Sequence, residues 1–106
     1  MPVCVHITHH AAVRAIERHG CASIQQAHQR LRQYFQVSTR LPWRYGRTLA
    51  RRCSDRVPRG KRVDYRVAGP CLLVCRGKRV ITTWRLTSEQ LATVLCWAVT
   101  GMWLGD

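Results

Sequence analysis

His10, Arg14 and Arg18 recur at i, i+4 and i+8 in a segment that reads as a helix, with Glu17 beside them. That spacing stacks side chains into one stripe. An imidazole moves protons near neutral pH, and two guanidiniums on the same stripe hold a phosphate and the charge that develops on it. The stripe is therefore a candidate catalytic constellation for a phosphodiester, and the competing reading is a solvated helix face carrying a Glu–Arg pair. Val13 and Ile16 point to other sides of the helix and are available to a core.

A second group is purely cationic. Arg40, Arg44, Arg47, Arg51, Arg52, Arg56, Arg59, Lys61 and Arg62 crowd into residues 38–62, where Asp55 is the only acid, and Arg85 follows at the end of a strand-like run. Over the 106 residues, eighteen Lys and Arg face five Asp and Glu, a net charge of +13, and sixteen of the eighteen are Arg. The planar guanidinium binds phosphate bidentately and stacks on bases. A GC-rich genome would also explain the excess of Arg over Lys, but not the scarcity of acids. Such a charge on a small chain implies salt-dependent binding of a polyanion, RNA or DNA. An acidic protein, such as an antitoxin or a host complex, is a further candidate partner. Trp43 and Tyr45 alternate with Arg40, Arg44 and Arg47, and so either stack on bases or anchor the segment to the core.

Metal and cofactor chemistry finds little support. His6, His9 and His10 cluster at a strand–helix junction, but adjacent helical residues point apart, and five scattered acids make a magnesium cage improbable. Cys4, Cys21, Cys53, Cys71, Cys75 and Cys96 contain no C-x-x-C pair. Six free thiols in a reducing cytoplasm are expected, with no metal and no cofactor. The opening residues lack the basic and apolar regions of a signal peptide. The apolar run Leu91–Leu104 is too short for a membrane span and suits a packed helix, whose remaining apolar surface suggests a homodimer or a protein partner.

One domain of 106 residues must position these groups. Residues 3–7 alternate as a short strand. Thr8 caps a helix over 9–19 that Gly20 ends, and Ser23 with Gln26 opens a second helix to about Phe35. Residues 38–62 read as a basic loop, with a short helix near 45–53 as an option. Strands follow over 63–68, 71–76 and 79–85, the last two joined by a tight turn at Gly77-Lys78. Thr87-Ser88-Glu89-Gln90 then caps a helix over 91–103. The expected fold is α+β, with two N-terminal helices and a C-terminal helix packed on one face of a small antiparallel sheet.

The stretch Ile7-Thr8-His9-His10-Ala11-Ala12-Val13-Arg14-Ala15-Ile16-Glu17-Arg18 resembles the I-T-x-H-A-x-x-R-x-x-E-R opening of small phage and toxin-module proteins of the barnase–EndoU–colicin–RelE-like group of ribonucleases. Val80-Ile81-Thr82-Thr83-Trp84 is similar to a late-strand pattern of that group, and the likeness covers roughly residues 7–35 and 63–86. It implies a helical pair before a four-stranded antiparallel sheet. It also implies metal-independent attack of an RNA 2′-hydroxyl on its own phosphate, with His10 as acid or base, Arg14 and Arg85 on the phosphate, and Thr82 or Thr83 as a hydrogen-bonding group on the sheet. The arginine-rich segment 38–62 and the last apolar helix depart from the pattern. The expected function is thus a small RNase-like toxin or phage protein that cleaves or binds RNA. The alternative is a non-enzymatic, phage-encoded inhibitor of the anti-CRISPR kind, docking on nucleic acid or on a host nucleic-acid-binding complex.

Overall fold

A computed structural model describes residues 4–53 and 63–105. The fold is α+β. Its elements run β1 (His6–Ile7), α1 (His9–His19), α2 (Ile24–Val37), β2 (Thr39–Leu41), α3 (Trp43–Cys53), β3 (Asp64–Ala68), β4 (Cys71–Arg76), β5 (Arg79–Arg85) and α4 (Ser88–Thr100). The expected caps form. Thr8 and Ser23 accept from the backbone N–H groups of Ala11 and Gln26, and Thr87 with Gln90 makes a full capping box for α4. Gly20 ends α1 at φ 68°, a left-handed position that favours glycine.

The sheet order is β1-β5-β4-β3-β2. Strands β2 to β5 are antiparallel to their neighbours, but β1 lies parallel to β5, pairing only at Arg79 and Val80. The sheet is therefore mixed rather than wholly antiparallel. Helices also cover both faces, not one. The central strand β4 is buried from Cys71 to Cys75, the pattern of a strand covered on two sides. Leu73 and Cys75 pack with Val80 against Ala11, Ala12 and Ala15 of α1 and Leu31 and Phe35 of α2. Leu72 and Val74 join Tyr65, Val67, Leu49 and Ala50 of α3 and Val94 of α4 on the opposite side.

The segment 38–62 is only partly the loop expected: the optional helix near 45–53 forms as the eleven-residue α3, the edge strand β2 before it was not foreseen, and residues 54–62 lie outside the described part. A Cβ on Gly46 would overlap Cβ and Cγ of Tyr65, so glycine is what lets α3 settle onto β3. All six cysteines carry free thiols. No helix among the described residues is long and apolar enough to cross a membrane.

Candidate nucleic-acid interface

The amphipathy of α3 places its arginines. Gly46, Leu49 and Ala50 are buried, so the helical period turns Arg44, Arg47, Thr48, Arg51 and Arg52 outward. Trp43, in the first turn and 50% exposed, leads a line that continues through Arg47 and Arg51 at i+4 and i+8. The Arg47 guanidinium lies over the Trp43 ring at 5.1 Å, and that of Arg44 lies over Tyr45 at 4.9 Å, donating to its hydroxyl at 3.1 Å. The two aromatics play different parts. Tyr45 stacks on Trp103 with ring centroids 4.4 Å apart and meets the edge of Trp97, so it anchors α3 to α4. Trp43 has no such ring partner among the described residues.

Beyond α3 the cationic surface runs into a cleft of about 330 Å³ at the edge of β5. Arg18 from α1, Arg52 from α3 and Arg85 from β5 line it together with Trp84, Thr87 and Gln90, and no carboxylate lines it among the described residues. Because β1 pairs with only two residues of β5, the carbonyls beyond Val80 face outward unpaired by a strand. Side chains of the α1 segment satisfy them. Thr8 Oγ1 donates to the Ile81 carbonyl at 3.0 Å, and Arg18 Nη1 donates to the Thr83 carbonyl at 2.8 Å. The Arg18 guanidinium also covers the Trp84 ring at 3.5 Å. Burial, and then the neighbouring Arg14, hold its pKa below the usual arginine value.

The His10–Arg14–Arg18 stripe is thereby divided. His10 is exposed in the first turn of α1 and makes no hydrogen bond or ion pair among the described residues. Arg14 pairs with Glu17 at 2.6 Å, and Arg18 turns to the β5 edge. Arg40 pairs with Asp64 at 2.6 Å. Arg85 is exposed at the end of β5. Arg56, Arg59, Lys61 and Arg62 lie outside the described residues. Thr82 and Thr83 are both buried, so neither hydroxyl reaches the surface. His6 and His9 are close enough to His28 to lower its pKa further, after burial and Arg32. No three His, Cys, Asp or Glu side chains converge as metal ligands among the described residues.

Two features escaped the sequence reading. One is the meeting of Arg52 with Arg18 and Arg85, which depends on tertiary structure. The other is a buried polar chain around His19, whose Nε2 lies 2.6 Å from Thr83 Oγ1 and whose Nδ1 lies 3.5 Å from Cys71 Sγ. The helical period gave a signal for the second, since His19 continues the core stripe of Ala11, Ala12 and Ala15. Comparison with protein-family models, with curated proteins and with solved structures finds no match to this chain.

Proposed function

We propose that this protein binds nucleic acid, RNA foremost, along the outward face of α3 and into the arginine-lined cleft at the β5 edge. The observation that carries the reading is the convergence of Arg18, Arg52 and Arg85, from three separate elements, on one cleft without a carboxylate among its described lining residues. The outward row Arg44, Arg47 and Arg51 extends the same surface. The free thiols suit a reducing cytoplasm, and the same cationic face would accept an acidic protein partner.

Fluorescence anisotropy with a labelled RNA oligonucleotide tests this. If Arg44, Arg47, Arg51, Arg52 and Arg85 each neutralise one phosphate, the log–log salt slope is about −4, and a roughly fourfold rise in salt should weaken binding by about two orders of magnitude. The double variant R47E/R51E should abolish binding at low salt. A flat salt response, or binding that survives the double variant, would sink the proposal.

A second reading is metal-independent RNA cleavage by a member of the ribonuclease group that residues 7–18 resemble. The exposed, unpaired His10 one turn before Arg14 favours it, as does the order of α1 and α2 before the antiparallel strands β2 to β5. Incubation with RNA in EDTA should then yield 2′,3′-cyclic phosphate ends, and His10→Ala should slow cleavage by about 10²–10⁴. Binding without cleavage would favour the non-enzymatic inhibitor.

A further inference from the structure

From the setting of Trp43 we infer that the α3 surface takes single-stranded nucleic acid, with an unpaired base stacked on the Trp43 ring; this rests on the nucleic-acid reading above. A tryptophan normally contributes by burying its ring, yet half of Trp43 stays in solvent. The nearby aromatics Tyr45, Trp97 and Trp103 pack with one another instead. The Arg47 guanidinium covers the Trp43 ring from one side. A planar cation beside a half-exposed ring offers a flat surface for a base and donors for the phosphate next to it. Arg51 follows one turn beyond Arg47 along the same line, set to take the following phosphate of a strand running along the helix. A base held in a duplex has both faces covered by its neighbours and cannot stack on Trp43 without being unstacked first. Sequence preference should be slight, because every base has a π face.

The test compares three ligands of equal length by anisotropy: single-stranded oligo(U), an RNA duplex, and an abasic single strand. The parent protein should bind oligo(U) more tightly than the other two. Trp43→Ala should weaken oligo(U) binding by about 5- to 100-fold, while leaving the duplex and abasic affinities and the salt slope unchanged. Trp43→Phe should recover most of the loss, and an unchanged melting temperature should accompany both variants. Equal weakening toward all three ligands, or no weakening toward oligo(U), would overturn the inference while leaving salt-dependent binding in place. If no ligand binds at low salt, the nucleic-acid reading fails and the inference with it.

Discussion

Acid should destabilise this protein more steeply than its few carboxylates dictate, and His19 supplies the reason. Only 8% of His19 is exposed. The Thr83 hydroxyl donates to the Leu72 carbonyl at 3.0 Å, so toward His19 it accepts, and the imidazole proton sits on Nε2. Nδ1 is then the bare nitrogen that accepts from the Cys71 thiol, and burial raises the pKa of that thiol so that it keeps its proton. The Tyr34 ring meets the imidazole edge-on. A second proton on the ring would set N–H against S–H, in a dry site flanked by Arg85 and Arg18. Burial first, and those two guanidiniums next, hold His19 down from 6.5 to about 4.

The unfolded chain takes up that proton near pH 6.5 and the folded chain only near pH 4. The stabilisation is therefore complete above the unfolded pKa and is lost as pH falls through this window. At about 1.4 kcal/mol for each pH unit the full loss is about 3 kcal/mol, a large part of the ~5–15 kcal/mol that holds a small domain together. Urea denaturation between about pH 7.5 and about pH 4.5, of the parent and of His19→Gln, reads it out. The variant should start less stable, having lost its fitted partners, and should vary less with pH by about 2.5 kcal/mol, the part of the loss that falls above about pH 4.5. Carboxylates and His28, which burial also lowers, act in both proteins and cancel in the comparison. Parallel stability curves for the two proteins would refute the reasoning.

Gly46→Ala should cost about 1–3 kcal/mol or more, because the added methyl overlaps Tyr65; a shift in the urea midpoint measures it. Tyr65→Phe should be neutral or stabilising by up to about 1 kcal/mol, since the buried hydroxyl has no hydrogen-bond partner among the described residues; thermal denaturation decides. Ala92, Leu95 and Val99 are spaced three and four apart on α4, and the last two are 56% and 85% exposed, an apolar seam of the kind that meets another helix. Self-association is expected by sedimentation and should be lost in L95E/V99E.

What the sequence made legible were the elements with strong local chemistry. Thr8, Ser23 and Thr87 mark three helix starts, and Gly77 at φ 55° marks the turn between β4 and β5. Helix α3 was legible only as an option near 45–53, because its buried stripe is only Gly46, Leu49 and Ala50, too weakly apolar to stand out among arginines and a glycine. Strand β2 has three residues, two of them exposed, and gives no alternation to read. The unbroken apolar run Cys71–Cys75 did carry the news that helices cover both faces of the sheet. The parallel pairing of β1 with β5 is a long-range choice that no local pattern records. The same gap hid the fate of Arg18, since its stripe on α1 is plain in the sequence but the open edge of β5 that engages it is not.

The distribution of partners among the arginines ties these threads to function. On the α1–α2 side of the sheet the arginines have structural engagements. Arg14 pairs with Glu17 and Arg40 with Asp64, Arg32 donates to the Val5 carbonyl at 3.4 Å, and Arg66 donates to Ser38 while lying over Phe35. Those pairs engage two of only five acids in the chain. On α3 the pattern changes, for Arg44 and Arg47 rest on aromatic rings, and Arg51 has no hydrogen bond or ion pair among the described residues. Stacking on a ring leaves a guanidinium its charge and its outward N–H donors. Helix α3 thus presents Arg44, Arg47 and Arg51 without an ion pair among the described residues, at an angle held by Gly46 against Tyr65 and by Tyr45 against Trp103; Arg76, Lys78, Arg79 and Arg85, around β4 and β5, likewise form no ion pair there. If the chain binds a polyanion as proposed, a cationic helix held by these contacts would lose little entropy on meeting it.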